Sequence, residues 1–405
     1  MKYSEFDLLP GDRQPSPAEV QNHSFSVAFE YPVAFTEGGF DPANRALLEI
    51  FRRREPERRH RAAVLVDAGV AAARPGLIAE IRHYAAAHGR RLEWADEPWV
   101  LPGGEDCKNR PELLPQLHDG LRRAGIDRQS FLLAVGGGAL LDLAGFAAAT
   151  LHRGVRLIRV PTTVLAMDDS GLGVKNGVNA FGLKKFLGSF AAPFGVLVDF
   201  GFLSTLGARD LRAGLAEAVK VAAIRDAGFF TWLEASSGEL ADFAPPAMQA
   251  AIRRCAALHL AQICQGGDPF ETGSARPLDF GHWAAHKLEA LSGHALRHGE
   301  AVAIGMALDG QYSAEIGLLP EAGAERLHAL LRRLGFDLWH PALDQRGPDG
   351  QRRVMAGLGE FREHLGGELS LTLLAGLGRG VEVNTIDLGA MERAIARLRR
   401  TEAAR

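Results

Sequence analysis

The sequence predicts an α/β protein in which a parallel sheet is followed by a mainly helical half. Between about residues 44 and 200, short apolar runs such as 131–135 and 157–160 alternate with amphipathic segments such as 75–88. From Ala208 onward, apolar residues recur with the period of an α-helix. Strands that alternate with helices predict a parallel sheet covered by helices, and the second half reads as a helical domain.

Each element follows from a local pattern. Residues 1–24 are polar and are predicted to form an irregular tail, and the alternation over 25–35 predicts a strand. Further buried strands are predicted at 62–66, 131–135, 157–160 and 196–199. Helices are predicted at 211–224, 247–265, 282–291, 299–316 and 322–334, followed by a strand pair at 369–374 and 381–383 and a last helix from 388 to about 400. The predicted domains are a tail (1–24), an α/β domain (25–205) and a helical domain (206–405).

Composition excludes several functional classes. The 405 residues are 47% hydrophobic, and a net charge of -3 gives no basic surface for nucleic acid. No apolar run approaches the roughly 18 residues of a membrane span, and the start has no apolar signal core. We therefore expect a cytoplasmic protein with neither a membrane nor a nucleic-acid partner. Three cysteines without a C-x-x-C pair exclude a disulfide framework.

A glycine turn follows one predicted strand. Residues 131–135 lead directly into Gly136, Gly137 and Gly138, after which a helix is predicted. Such a turn presents free N–H groups and the positive end of a helix dipole, which suits the pyrophosphate of a dinucleotide. Glycines also serve strand-to-helix geometry alone, so both interpretations stand. Asp67 ends an earlier strand, either as a ribose ligand or as a helix cap.

Two clusters of polar residues lie further along the chain. His282 and His286 are spaced i, i+4 and share one helix face, with His298 close behind. Their imidazoles suit a metal site open to substrate, although a polar helix face would look the same. Glu217 and Lys220 share a face at i, i+3, where a surface ion pair is favoured over a metal ligand beside a phosphate contact. Residues 168–179 mix acids, amides and small residues, which predicts a loop lining a polar site.

Together these segments resemble the 3-dehydroquinate synthase family, also called the sugar phosphate cyclases, over about residues 60–375. The matching motifs are Gly136 to Gly138 with Asp142, Val160-Pro161-Thr162-Thr163, Asp169 to Lys175, Arg212 to Lys220, Phe280-Gly281-His282 to His286, and His298-Gly299-Glu300. The resemblance implies a Rossmann-like NAD-binding domain followed by a mainly α-helical C-terminal domain. It also implies a phosphate-eliminating carbon-oxygen lyase that uses NAD and a divalent metal, zinc or cobalt, on a small-molecule sugar phosphate.

The resemblance also implies a role for individual residues. The metal ligands would be Glu217, His282 and His298. The NAD site would comprise Asp67, Glu105, Lys108, Gly136, Gly137, Gly138, Asp142, Thr162, Thr163, Leu165, Phe202 and Thr205. The substrate site would comprise Arg153, Asp169, Lys175 and Lys220, with His286 as the acid/base group. In relatives the arginine reaches into the neighbouring subunit, so a homodimer is implied.

The sequence departs from the dehydroquinate synthases themselves, which bind a substrate carboxylate with a lysine and an arginine ahead of an Asn-Phe-Gly-His motif. Residues 226–286 contain no lysine, and Asp279 replaces the motif's asparagine, where it would repel a carboxylate. The family's late lysine pair is replaced by a segment containing His364. Asp279 and His364 therefore join the candidate site residues, while contacts of Lys185 and Arg276 with substrate stay open.

These departures are similar to those of cyclases that act on sedoheptulose 7-phosphate. We therefore expect a cyclase that converts a C7 ketose phosphate to a C7 cyclitol such as 2-epi-5-epi-valiolone. The alternatives are a 3-dehydroquinate synthase, a metal-dependent alcohol dehydrogenase of the glycerol dehydrogenase type, and a non-catalytic NAD-binding module.

Overall fold

The structure is a computed structural model that describes residues 22–181, 183–266, 269–270, 278–364, 367 and 369–403, with the side chain of residue 364 left out. Contacts divide the chain into two compact units, Met1–Glu30 and Tyr31–Arg405. Residues 22–30 are exposed and form neither helix nor strand. The strand predicted over 25–35 is therefore limited to its last part, Val33–Thr36.

The first half of the larger unit is built on a parallel sheet. Its strands, in chain order, are β1 (Val33–Thr36), β2 (His60–Asp67), β3 (Leu92–Trp94), β4 (Trp99–Leu101), β5 (Phe131–Gly136), β6 (Arg156–Pro161), β7 (Lys175–Ala180), β8 (Leu183–Phe190) and β9 (Gly195–Asp199). Seven of these form one sheet in the order β1-β9-β6-β5-β2-β3, with β4 also paired to β2, and every pair in it is parallel. Every residue of β5 and β9 is buried, as expected when helices cover both faces of a parallel sheet.

Five helices belong to this half. They are α1 (Ala46–Arg52), α2 (Ala68–Ala73), α3 (Leu77–Ala87), α4 (Leu113–Arg123) and α5 (Gly138–Thr150). Their apolar faces contribute to two hydrophobic clusters that share the strands of the sheet. The predicted alternation of strands and helices is thus present.

The segment predicted to be a loop over 168–179 is more regular than expected. A π-helical turn, Ala166–Ser170, leads into β7, which pairs with β8 as an antiparallel hairpin. Fully buried Arg159 holds this segment against β6 by donating hydrogen bonds to the carbonyl oxygens of Gly171 and Gly173 and to Oδ1 of Asn176. Nearly all of β8 is exposed, so no alternation marked it as a strand.

The second half is mainly helical. Its elements are α6 (Ala208–Arg225), α7 (Ala227–Ala235), α8 (Ser237–Ala241), α9 (Pro245–Gln265), α10 (His282–Leu291), α11 (His298–Glu315), α12 (Glu321–Arg333), α13 (Ala356–His364), β10 (Leu371–Gly376), β11 (Arg379–Val383) and α14 (Leu388–Ala403). The predicted helices and the late antiparallel strand pair are confirmed within a few residues, whereas α7, α8 and α13 were not predicted. Helix α11 is buried along most of its length and packs against α6, α10, α12 and α14.

The predicted fold class is therefore confirmed: a Rossmann-like parallel-sheet domain precedes a helical domain. Among the helices in the described part of the chain, none is both long enough and apolar enough to cross a membrane.

Candidate active site

The candidate cofactor residues gather at one edge of the sheet. The carboxyl ends of β2, β5, β6 and β9 meet there because these strands are parallel, and such edges are where α/β proteins bind ligands. Gly136, Gly137 and Gly138 join β5 to α5 at this edge. A Cβ atom on Gly138 would lie 2.5 Å from Oγ of Ser170, so the glycine turn packs directly against the π-helical turn.

Asp67 and its neighbours form the outer part of this edge. The Asp67 carboxylate accepts a hydrogen bond from the backbone N–H of Gly69 at 2.7 Å, so the helix-cap interpretation is seen in the structure. Lys108 is buried, and its Nζ lies 3.1 Å from Oδ2 of Asp142 and 3.4 Å from Oε2 of Glu105. Three predicted NAD residues thus form one ion-pair network.

The remaining predicted NAD residues follow β6 and β9. Thr162 and Thr163 come directly after β6, and Leu165 precedes the π-helical turn. Phe202 is buried, and the hydroxyl of Thr205 donates to its carbonyl oxygen at 2.7 Å. Thr162 Oγ1 is buried and makes no hydrogen bond within the described part of the chain.

Glu217 and Lys220 on α6 form a buried ion pair with a third partner. Lys220 Nζ lies 2.8 Å from Oε1 of Glu217, and both side chains are under 5% exposed, so the prediction of a surface pair is wrong. His259 of α9 places Nε2 at 2.7 Å from the same Glu217 oxygen and Nδ1 at 3.5 Å from Oδ1 of Asp169. The Lys220 ammonium and the His259 imidazole therefore share one buried carboxylate.

The charges in this cluster stabilise one another. Burial raises the pKa of Glu217, but Lys220 and His259 outweigh burial and the pKa is lowered. Burial likewise lowers the pKa of Lys220, while Glu217, Asp169 and Asp279 raise it to give a net increase. Both groups are therefore ionised at neutral pH, and Asp279 lies close enough to Lys220 to contribute.

Three histidines line the adjoining part of the site. The ring centroid of His282 lies 5.6 Å from that of His286 and 5.4 Å from that of His298. Nδ1 of His282 lies 3.2 Å from the carbonyl oxygen of Phe280, an arrangement in which Nδ1 carries the proton and Nε2 is left as an acceptor. Burial and the charge of Lys220 hold the pKa of His282 well below its usual value. The His282 imidazole is therefore neutral, which is the form that binds metals.

Glu289, on α10 like His282, supports the third histidine. Its Oε2 lies 3.3 Å from Nδ1 of His298, and Nζ of Lys184 lies 3.6 Å from its other oxygen. Burial raises the pKa of Glu289, but the hydrogen bond with His298 and the charges of His298, Lys184 and His286 together outweigh burial and lower the pKa to about 2. His286 lies nearer the opening of the site, and desolvation of its ring together with His298 lowers its pKa to about 4.

The donor atoms fit a divalent metal. Among the described residues, two groups of three side chains have donor atoms within 4.8 Å of one another: Asp169, Glu217 and His259, and His286, Glu289 and His298. Glu217 belongs to the first group and His298 to the second, and His282 interacts electrostatically with Glu217 and packs against His298. Carboxylate and imidazole are the ligands that zinc and cobalt accept. Among the described residues, Glu217, His282 and His298 do not themselves form such a group, because His282 belongs to neither group, although its ring is linked to Glu217 and to His298 through the two interactions just named.

Of the other predicted site residues, Arg153 lies apart from this cluster, Lys185 lies close enough to His286 to help lower its pKa, and two lie partly or wholly outside the described residues. Arg153 is exposed beyond the C-terminal end of α5, a 13-residue helix, and so lies about 20 Å from the glycine turn at its start. Lys175 begins β7 and is exposed, and Lys185 lies on the hairpin with its N–H donating to Oδ1 of Asn179 at 2.8 Å. The side chain of His364 and the whole of Arg276 lie outside the described residues.

Comparison with known proteins identifies the family. The model of the 3-dehydroquinate synthase N-terminal domain matches residues 98–213, and that of the C-terminal domain matches residues 214–350. A 3-dehydroquinate synthase of Rhodopseudomonas palustris strain TIE-1 is 39% identical over 295 residues, which cover 71% of this chain and 76% of that protein. The chain belongs to the 3-dehydroquinate synthase family. A 3-dehydroquinate synthase of Pelobacter propionicus is 40% identical over 61% of this chain and 68% of its own length.

Solved structures related to the family agree with the fold. The 2-epi-5-epi-valiolone synthase of Streptomyces hygroscopicus subsp. jinggangensis 5008, solved with NAD+ and Zn2+ bound, is 31% identical with a TM-score of 0.81, covering 94% of this chain and all of that one. A 2-deoxy-scyllo-inosose synthase complexed with carbaglucose-6-phosphate, NAD+ and Co2+ shares the fold, at 24% identity and a TM-score of 0.72 over 90% of this chain and 95% of that one. A probable glycerol dehydrogenase of Sinorhizobium meliloti 1021 also shares the fold, at 20% identity and a TM-score of 0.59 over 92% of this chain and 98% of its own.

Within this family architecture, sequence reasoning missed His259 and Glu289. His259 lies between two leucines on a long helix, where a lone histidine looks like a core residue. Glu289 lies three residues after His286, and its helical spacing from the histidines was the one available signal. Both side chains contact residues that the family motifs single out.

Proposed function

We propose that the chain is an NAD- and metal-dependent sugar phosphate cyclase that converts a C7 ketose phosphate, sedoheptulose 7-phosphate, to a C7 cyclitol of the 2-epi-5-epi-valiolone type. The observation that carries the proposal is the proximity of the Asp279 carboxylate to buried Lys220, whose pKa it helps to raise. A negative group at this position of the site disfavours a substrate that brings its own carboxylate.

The metal would be held by Glu217, His282 and His298, with His259 and Glu289 orienting the first and the last of these ligands. NAD would lie along the glycine turn and the Lys108 network. When bound, these two groups supply Lewis-acid polarisation of a substrate hydroxyl and reversible hydride acceptance. The protein's own residues bind and orient the sugar phosphate and accept or donate its protons.

The phosphate would be bound by cations. Lys220 is charged and rigidly held, Lys175 lies at the start of the hairpin, and Arg153 of a second copy would complete the set. Arg153 lies about 20 Å from its own glycine turn, which favours a homodimer in which it serves the neighbouring site. These charges stabilise the phosphate as it leaves. His286, with a pKa lowered to about 4, is a neutral proton acceptor beside it.

The choice of a sugar without a carboxylate depends on which cations are available to bind that group. In the described part of residues 226–286, the arginines are Arg253 and Arg254, and both lie over aromatic rings. Arg253 lies 4.7 Å from the Phe35 ring centroid, and Arg254 lies 4.6 Å from that of Phe229. Neither of these described arginines is available to a substrate carboxylate, and a carboxylate buried without a cation is costly, which favours a sugar lacking the group. The similarity to the 2-epi-5-epi-valiolone synthase supports the same choice.

The testing experiment measures phosphate release from sedoheptulose 7-phosphate by protein supplied with NAD and zinc or cobalt. We expect stoichiometric phosphate, a cyclitol identified by mass, and no net NADH. Net accumulation of NADH without phosphate would instead identify an alcohol dehydrogenase. NAD binding without any turnover would identify a non-catalytic module. The proposal extends to a cytoplasmic location and to a domain boundary near residue 205.

A further inference from the structure

Asp309 is a buried acid that the proposed reaction does not use. It lies on α11, its side chain is almost fully buried, and both carboxylate oxygens accept hydrogen bonds. Oδ2 accepts from the backbone N–H of Gly281 at 3.0 Å, and Oδ1 accepts from Nε1 of Trp283 at 2.8 Å. The two donors flank His282, so this carboxylate holds the chain on either side of a proposed metal ligand.

The contact lies where α10 and α11 approach most closely. Gly281 has a φ of +80°, and a Cβ atom on it would lie 2.6 Å from the backbone nitrogen of Met306. A Cβ atom on Gly305 would lie 2.0 Å from the carbonyl oxygen of Gly281. Asp309 is four residues beyond Gly305 and therefore lies on the same face of α11, one turn along. The two glycines permit the close approach of α10 to α11, and the Asp309 carboxylate holds the start of α10 against α11 by hydrogen bonds.

The same two helices carry both proposed histidine ligands. His282 begins α10, His298 begins α11, and their ring centroids are 5.4 Å apart. A metal bound to both needs each nitrogen at about 2.1 Å, which leaves little tolerance for sliding of one helix along the other. The bonds from Asp309 restrict that sliding.

A buried acid at position 309 costs folding free energy, so stability by itself does not explain its presence. Burial raises the pKa of Asp309 to about 7, and no cation appears among the causes of the shift. An apolar residue of similar size would pack the helices without this desolvation penalty. A role that depends on directed hydrogen bonds explains why a carboxyl group stands here.

We infer that Asp309 is a positioning residue of the proposed metal site. Its hydrogen bonds with Gly281 and Trp283 hold the start of α10 against α11 and so fix the position of His282 relative to His298. The inference rests on the proposed function, because it assumes that these two histidines hold the metal. It adds a residue outside the ligand set and outside the family motifs quoted above.

The test measures Co2+ affinity by chelator competition, together with the visible absorption spectrum of bound Co2+. Asp309→Asn keeps the size of the side chain but sets an NH2 group against one of the two donors. We expect it to weaken Co2+ binding about 10-fold or more, in the range for groups that orient metal ligands, and to alter the cobalt spectrum. Trp283→Phe removes one donor and leaves the acid, so it should weaken binding by a smaller factor. The double variant should lose less than the sum of the two single losses, because both changes act on the same carboxyl group.

Ser313→Ala is the matched control. Ser313 lies four residues further along α11 and is fully buried. Its hydroxyl accepts a hydrogen bond from the N–H of Leu374 at 3.2 Å and donates one to the backbone carbonyl oxygen of Asp309 at 2.6 Å, so the control perturbs the same part of α11 without changing the Asp309 carboxylate. Its loss should lower thermal stability and leave Co2+ affinity unchanged. Folded Asp309→Asn with an affinity within twofold of wild type would overturn the inference, as would an equal loss in Ser313→Ala. If Asp309→Asn does not fold, unchanged affinity in Trp283→Phe overturns it. A wild-type protein that binds no Co2+ would instead refute the metal-dependent function itself.

Discussion

Substitution of Gly299 by alanine tests how closely α6 and α11, which carry two of the proposed metal ligands, must approach. A Cβ atom on Gly299 would lie 1.9 Å from the carbonyl oxygen of Ala213 and 2.6 Å from its carbonyl carbon. Ordinary contacts begin above about 3 Å, so the helices must separate by more than about 1 Å, and the obstructing atoms belong to the backbone. Because Ala213 lies one turn before Glu217 and Gly299 follows His298, the separation directly changes the distance between two proposed ligands.

We expect Gly299→Ala to destabilise the protein by about 1–3 kcal/mol, the usual cost of overpacking, even though alanine favours a helix by up to about 1 kcal/mol. Phosphate release should fall by about 100-fold in kcat/KM, as expected for a displacement of about 1 Å in a catalytic site. Thermal unfolding and the phosphate assay measure the two effects.

The matched control is Gly359→Ala on α13, where an added Cβ atom meets nothing within 4 Å. This variant should be as stable as wild type or more stable, with unchanged activity. A Gly299→Ala protein with the melting temperature and kcat/KM of wild type would refute the close contact between α6 and α11.

Three further predictions concern charged groups. Lys220→Met removes the lysine partner of the buried Glu217 carboxylate and leaves its hydrogen bond with His259, so urea unfolding should show a loss of about 3 kcal/mol, at the low end for a broken buried pair. Phosphate release should fall at least 100-fold, and an unchanged urea midpoint would contradict the buried pair. His259→Gln keeps a hydrogen-bond donor but removes the imidazole that contacts both Glu217 and Asp169, and should lower thermal stability by about 1 kcal/mol; no change would place His259 outside the cluster. The hydrogen bond from Arg156 lowers the pKa of Glu55, so the pair's contribution, at most about 1 kcal/mol, is present above about pH 4.5 and is lost as pH falls through the folded pKa. The stability difference between wild type and Glu55→Gln should therefore shrink from pH 6 to pH 3, and a constant difference would contradict the pair.

Much of the fold could be predicted because its elements carry strong periodicities. Helix α10 was predicted at its observed bounds, since its apolar residues recur at helical spacing between a glycine and a serine. The exposed hairpin of β7 and β8 was not predicted, because a strand without a buried face has no alternation to reveal it. The strand prediction over 25–30 is wrong for the opposite reason: phenylalanine and valine alternate there as in a strand, but the segment forms none.

Candidate site residues could be predicted wherever family motifs cover them. The other residues of the site became visible only through three-dimensional contacts. The spacing of Glu217 and Lys220 gave no sign that the pair is buried, because burial depends on α9 and α11 packing over it. His259 and Asp309 are separated from their partners by tens of residues, and nothing local distinguishes them from ordinary core and surface positions. Long-range packing, which a single sequence does not display, assigns these residues to the site.

The most direct test of the central claim compares kcat/KM for phosphate release from sedoheptulose 7-phosphate and from 3-deoxy-arabino-heptulosonate 7-phosphate. The same protein, loaded with NAD and zinc or cobalt, is used for both sugars. We predict release from sedoheptulose 7-phosphate and negligible release from the carboxylate-bearing sugar, because Asp279 would repel that group and the described arginines of residues 226–286 lie over aromatic rings. Release from the carboxylate-bearing sugar alone would contradict the account and identify a 3-dehydroquinate synthase.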